Sequence, residues 1–198
     1  MQRNKDDDMA DIFKKLTPED MVQMIGQQLE KIDTAGTDDM IRLRRELEQV
    51  VDDASLWFDY GLALNQAALH RDALVVEREQ FLHPEAEELN VDCSGSTPLY
   101  EEALKSFGKV LELEPEYYGV QTQLGLVYGN MHRLEEAVQC YRKALEEDEE
   151  DFSAAYYLGL TYRDLGDESA AQRYLTLARE LNPDDDTLVN SRGEEVEN

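Results

Sequence analysis

The sequence holds few side chains whose type and spacing could carry out chemistry. None of the histidines His70, His83 and His132 has a second histidine, a cysteine or a paired carboxylate at metal-ligand spacing. Cys93 and Cys140 form no CxxC pair. The sequence also lacks a glycine-rich phosphate loop, a GxSxG motif and an HExxH motif. We therefore predict no catalytic residues, no metal site and no cofactor, and expect that the protein is not an enzyme.

Runs of acidic residues are the other candidate for chemistry. They lie at Asp6–Asp8, Glu146–Asp151 and Asp184–Asp186. Clustered carboxylates can hold calcium, but the EF-hand spacing with its central glycine is absent. We interpret the middle run as a solvated surface between two structural units, with weak and non-specific cation binding as the alternative.

The charge of the whole chain restricts its partners. Of 198 residues, 45 are acidic and 19 are basic, which gives a net charge of −26. Nucleic acids and anionic membranes both attract basic surfaces, so we expect neither as a partner. The absence of a secretory signal, of a long apolar run and of a disulfide framework favours a cytoplasmic location. A salt-rich cytoplasm is an alternative explanation of the acidity, since salt screens the repulsion between like charges.

The elements that would position a site come from an internal repeat. The segment LGLVY at 124–128 recurs as LGLTY at 158–162. Ala137 and Ala144 are likewise followed by alanines 34 residues later, at 171 and 178. Apolar residues that are three and four apart lie on one face of a helix. The fixed period therefore predicts a stacked array of two-helix units.

This pattern resembles the tetratricopeptide repeat family, whose 34-residue unit has Trp, Leu-Gly, Tyr, Ala, Phe, Ala and Pro at set positions. Two units lie at 118–151 and 152–185. The first of them departs from the pattern, because Glu149 replaces the proline. A third unit at 54–117 is split by an insertion near 70–98. The resemblance implies an all-α fold, a right-handed superhelix of helical hairpins.

The remaining segments are expected to flank this array. We predict a flexible N-terminus at 1–16, a helical hairpin or degenerate repeat at 17–52, and an acidic tail at 186–198. The apolar pattern at the start of the insertion predicts that the helix containing Trp57 continues into it. The rest of the insertion is either a mobile loop or a contact surface beside the groove.

The resemblance also implies a concave groove that binds an extended peptide. Its lining would come from the first helix of each unit, at the following positions: Phe58, Leu62, Asn65, Gln66, Thr122, Leu126, Asn130, Tyr156, Leu160 and Arg163. These residues form a leucine and aromatic stripe with amides at one edge. Cover by the chain's own N-terminal hairpin or insertion is the alternative. The lysine-containing clamp that some relatives use for a peptide's C-terminal carboxylate has no matching lysine here.

These features predict a non-enzymatic interaction module: an adaptor, assembly factor or co-chaperone. Its partner would be an apolar or basic segment of another protein. The alternatives are an export chaperone for an unfolded client, an accessory domain of an enzyme, and a self-assembling structural protein. Self-assembly as a homo-oligomer could use the C-terminal repeat, because no capping helix is evident after Pro183.

Overall fold

The computed structural model describes residues 39–82, 91 and 93–183. Residues 39–47 are helical, and a short 3-10 turn lies at Ser94–Ser96. The longer helices, in chain order, are α1 (Ala54–Leu82), α2 (Thr97–Leu113), α3 (Val120–Asn130), α4 (Leu134–Glu147), α5 (Phe152–Asp164) and α6 (Glu168–Leu181). No strand occurs within these described ranges, and the chain forms the expected all-α solenoid.

The helices form three hairpins, α1–α2, α3–α4 and α5–α6. In each hairpin, a glycine on the first helix packs against a large side chain on the second. A Cβ atom placed on any of these glycines would lie only 2.5–2.7 Å from the facing side chain. The helices can therefore approach closely only because the glycine has no side chain. The facing residues are Gly61 and Phe107, Gly125 and Tyr141, and Gly159 and Leu175.

Neighbouring pairs are joined by continuous apolar packing. The largest cluster includes residues of α1, α2 and α3, among them Phe107 and Val120, which are fully buried. Leu104 and Leu111 on α2 pack against this cluster. A second cluster joins Tyr141 on α4 with Leu158 on α5. The core therefore runs through the stack of hairpins, as expected for a repeat protein.

Caps and turns set the start of the later helices. Asp151 and Asp167 accept hydrogen bonds from the backbone N–H groups of Ala154 and Ala170, at 2.9 and 3.0 Å, and so cap α5 and α6. The two turns inside the hairpins place His132 and Gly166 at φ values of 56° and 80°. These two residues lie one repeat length apart, so both repeats use the same left-handed turn position.

The first helix of the split unit is much longer than its counterparts. Helix α1 has 29 residues, whereas α3 has 11 and α5 has 13. Its extension is fixed to α2 by a hydrogen bond of 2.7 Å from the Tyr100 hydroxyl to Asp72 Oδ2. The first part of the insertion is therefore helical, and α2 begins at Thr97. The positions 83–90 and 92 lie outside the described residues.

Residues 39–52 are the described part of the predicted N-terminal hairpin, and 39–47 of them are helical. Leu43 and Leu47 are buried and join the cluster formed by α1 to α3. Val50 lies beyond the helical residues and is 53% exposed. The predicted segments 1–16 and 186–198, and the hairpin up to residue 38, lie outside the described residues.

Candidate functional site

The first helices of successive hairpins meet through a pair of amides. Asn130 at the end of α3 donates a hydrogen bond from Nδ2 to Oδ1 of Asn65 on α1, over 3.2 Å. Asn65 is 7% exposed and Asn130 is half-buried. Gln66, next to the pair in sequence, is exposed. Two of the predicted amide residues, distant in the chain, are therefore brought together where α1 and α3 adjoin.

The three predicted leucines do not share one environment. Leu62 and Leu126 are half-buried and pack against the core clusters of their hairpins. Leu160 is also half-buried, but it belongs to none of the apolar clusters that the described residues form. Of these three leucines, Leu160 is therefore the one that does not pack in an apolar cluster of the described residues.

Thr122 was predicted to line the groove, but it is 4% exposed and has a structural contact instead. Its hydroxyl donates a hydrogen bond of 2.6 Å to Oδ2 of Asp151. The other oxygen of Asp151 accepts the capping hydrogen bond from Ala154. Thr122 thus links α3 to the start of α5. Asp151 was not predicted, although an aspartate before an apolar helix is a known capping signal.

The two predicted aromatic residues also pack within the array. The ring of Phe58 lies 5.6 Å from Phe107 and 5.1 Å from Tyr117, measured between ring centroids. The ring of Tyr156 stacks on Phe152, with centroids 6.0 Å apart. Both predicted residues remain half-buried, so each keeps part of its surface in contact with solvent.

Charged side chains border the first helices. Arg163, the remaining predicted residue, is exposed near the end of α5. Its neighbour Asp164 and the residue Asp59 on α1 are exposed as well. The first helices therefore combine partly exposed apolar and aromatic surface with amides and mostly acidic charge.

The half-buried Cys140 thiol and the buried Tyr60 phenol are held in their protonated forms. Burial raises the pKa of Cys140 to about 11. Burial and a hydrogen bond of 2.5 Å to Glu102 raise the pKa of Tyr60 to about 12. A reactive thiol needs a lowered pKa, so Cys140 is not activated as a nucleophile. Among the described residues, no group of three His, Cys, Asp or Glu side chains could hold a metal ion.

The stacked helix pairs define a solenoid of repeated hairpins, a class whose members use extended surfaces to contact other proteins. The tetratricopeptide repeat family matches residues 120–151 and 153–185, which correspond to α3–α4 and α5–α6. The chain is therefore a tetratricopeptide repeat protein, and such repeats are in general protein-interaction modules. The pair α1–α2 lies outside both matches but has the same close contact between a glycine and a large side chain.

Solved structures of the protein MamA have the same fold. MamA MSR-1 C2 superposes with a TM-score of 0.54 at 19% sequence identity, over 75% of this chain and 68% of that chain. MamA AMB-1 C2221 gives 0.51 at 20% identity, over 72% of this chain and 66% of that chain. This chain thus matches about two thirds of each MamA chain. No curated protein sequence matches it. In the described residues, no helix has the length and apolarity to cross a membrane.

Proposed function

We propose that the protein is an adaptor, assembly factor or co-chaperone that holds a segment of another protein against its first helices. The amide pair Asn65–Asn130 is the observation that carries this proposal. It brings two first helices together at residues that can also bond a peptide backbone. Each amide has both a donor and an acceptor, and the one hydrogen bond between them leaves further bonding capacity on both.

The proposed mechanism is burial of a few partner side chains beside these amides. Leu160 and Tyr156 offer partly exposed apolar surface on α5, and Phe58 offers a partly exposed ring on α1. Apolar contact supplies the affinity, and hydrogen bonds to the backbone fix the position of the bound segment. The acidic residues Asp59 and Asp164 and the net charge of −26 favour a basic or apolar segment over an acidic one.

A matched pair of leucine substitutions tests the proposal. Leu160→Glu places a charge on the proposed surface, whereas Leu165→Glu places the same charge at the turn after α5, where Leu165 is 39% exposed. Each variant would first be checked for an unchanged helical circular-dichroism spectrum. Proteins retained by each variant from native extract would then be compared by affinity capture and mass spectrometry.

The proposal predicts that partners of the unmodified protein are kept by Leu165→Glu and lost by Leu160→Glu. Equal retention by both variants would contradict it and move the interaction away from α5. An export chaperone would instead retain many unfolded secreted clients and no single partner. We also propose a cytoplasmic location, on the grounds of composition, and no enzymatic activity.

Self-assembly through the C-terminal repeat is the remaining candidate, and the end of the array disfavours it. Gln172 and Arg179 on α6 are exposed. They occupy the positions that Val138 and Leu145 have in α4, one repeat earlier, where both residues pack against apolar clusters that include residues of the next hairpin. A polar end of this kind is typical of a terminal repeat.

A further inference from the structure

The last repeat has a cavity that its proposed peptide-binding role does not use. This terminal cavity, of about 360 Å³, lies between α4, the end of α5 and the first half of α6. The side chains that determine its chemistry are Arg142, Tyr162, Asp167, Ser169, Arg173 and Tyr174. Two of its residues are arginines from different second helices, in a chain that carries a large surplus of acids.

Both guanidinium groups are available to a ligand. Neither Arg142 nor Arg173 forms an ion pair with another residue in the described part of the chain. In contrast, Arg133, which directly precedes α4, is paired with Glu136 at 2.6 Å. Arginine presents a planar fork of donors that matches the two oxygens of a carboxylate. Since the described residues offer neither arginine an ion pair, the two side chains are suited to binding an acidic group.

Aromatic rings support this site from one side. Tyr162 and Tyr174 are stacked, with centroids 5.6 Å apart and planes 8° from parallel. The guanidinium carbon of Arg173 lies 5.6 Å from the centroid of Tyr174, within the range of a cation–π contact. Asp167, the acidic residue of the cavity, uses one carboxylate oxygen to cap α6 at Ala170. These contacts place Arg173 beside the two stacked tyrosine rings.

The cavity continues along α6 into a second depression of about 610 Å³. The two share Ser169, Arg173 and Tyr174, and the second extends past Leu177 to Glu180. Ser169 and Glu180, at the two ends of the second depression, are eleven positions apart on α6. This separation corresponds to roughly 16 Å along the helix, the length of about five residues of extended peptide. The combined surface is thus too long for a single small anion, and it changes from cationic near Arg142 to apolar at Leu177.

We propose that this surface binds a short acidic segment of another protein. An aspartate or glutamate carboxylate is bound between Arg142 and Arg173, and a neighbouring apolar side chain packs on Tyr174 and Leu177. The two arginines supply the charge complementarity that selects this partner. This site is distinct from the proposed peptide-binding face, because most of its lining comes from the second helices α4 and α6 and it prefers the opposite charge.

A displayed library of random linear heptapeptides tests the proposal on the full-length chain. It would be selected against the unmodified protein, against the double variant Arg142→Gln with Arg173→Gln, and against Arg179→Gln. Arg179 is an exposed arginine of α6 that does not line the cavity, so its loss is the matched control. The affinities of recovered peptides would be measured by fluorescence anisotropy, with inorganic phosphate as a competitor.

We expect recovered peptides to combine an acidic residue with an apolar neighbour. Their affinity should fall about tenfold or more in the double variant and stay within about twofold in Arg179→Gln. The proposal would be overturned if the recovered peptides bound the double variant with unchanged affinity, or if they lacked acidic residues. Full competition by phosphate would reduce the site to a simple anion site and overturn the assignment to a segment.

The chain's own acids at 184–186 are the competing occupant. Replacing these three aspartates with asparagine in the full-length chain leaves the cavity residues unchanged. A partner site predicts unchanged affinity for the recovered peptides. A severalfold gain in affinity would show that the chain occupies its own cavity and would overturn the assignment to a partner.

Discussion

Helix α4 inside the array and helix α6 at its end are alike on one face and different on another. Towards their own first helices, both present small alanines and one large residue, Tyr141 in α4 and Leu175 in α6. On another face, α4 has Val138 and Leu145, which pack against apolar clusters that include residues of the next hairpin. The corresponding positions of α6 are polar. The hairpin is thus built the same way twice, but the apolar stacking positions of α4 are replaced by polar residues on α6, the last helix that the structure describes.

The largest expected effect comes from emptying the inner hairpin. Tyr141 is 2% exposed, so Tyr141→Ala should lower the free energy of unfolding by about 3–5 kcal/mol, through lost burial and the remaining cavity. Leu175→Ala at the end hairpin should cost less, about 2 kcal/mol, because Leu175 is only half-buried. Urea unfolding followed by circular dichroism measures both. Equal losses would contradict the difference between interior and end.

Exchanging the outer faces of α4 and α6 tests the comparison directly. The double variant Val138→Gln with Leu145→Arg gives α4 the polar residues of α6. It should lower the free energy of unfolding by about 2–4 kcal/mol, because partly buried apolar contacts are lost and a charge is introduced. Urea unfolding should also become less cooperative.

The reverse exchange should create a new association surface. Gln172→Val with Arg179→Leu on α6 should leave the hairpin folded and produce dimers or larger species, detected by analytical ultracentrifugation. The unmodified chain is the control. A reverse variant that remains a single chain would contradict the claim that these two positions end the array.

The helix caps should show a smaller difference of the same kind. Asp151 caps α5 and also accepts the hydroxyl hydrogen bond of buried Thr122, whereas Asp167 makes only the exposed capping bond. Asp151→Ala should therefore cost about 1–2 kcal/mol and Asp167→Ala about 0.5–1 kcal/mol. Thermal unfolding of the two variants under identical conditions measures the ranking, and a reversed order would count against it.

The smallest effect is expected at the matched turns. His132 holds the left-handed conformation that Gly166 holds in the next repeat. The variant His132→Gly should raise the free energy of unfolding by about 0.5–1 kcal/mol, because glycine adopts this conformation without steric cost. The variant Gly166→His should lower the free energy of unfolding by a similar amount. A Cβ atom placed on Gly166 would meet nothing within 4 Å, so a steric clash does not contribute to this loss. Two changes of the same sign would refute the shared geometry.

The helical hairpins could be predicted from sequence, because their determinants are local and repeated. Gly125 and Gly159 recur at the same point of each unit, and a small residue there indicates close contact between helices. The lining of the proposed groove was less predictable. Spacing along one helix places Thr122 on a face, but the neighbouring helix decides whether that face is open. Asp151, which engages Thr122 from the start of α5, lies on no repeat position that the pattern singles out.

The terminal cavity was not predicted at all, and its physical basis explains why. Arg142 and Arg173 lie on different helices, far apart in the chain, and become neighbours only when α4 and α6 stack on either side of α5. Neither residue belongs to the repeat pattern. Pairs of this kind depend on the offset between helices, which the sequence periodicity does not specify.

Site-specific photocrosslinking tests the central claim of partner binding on the first helices most directly. A photoreactive benzoylphenylalanine would replace Gln66 on α1 in one variant and Gln139 on α4 in another, since Gln139 is an exposed glutamine of a second helix that lines neither depression of the last repeat. Illumination in native extract should crosslink a partner to the Gln66 variant and leave the Gln139 variant without that band. Crosslinking of the same partner from Gln139 alone would contradict the account and assign binding to the second helices.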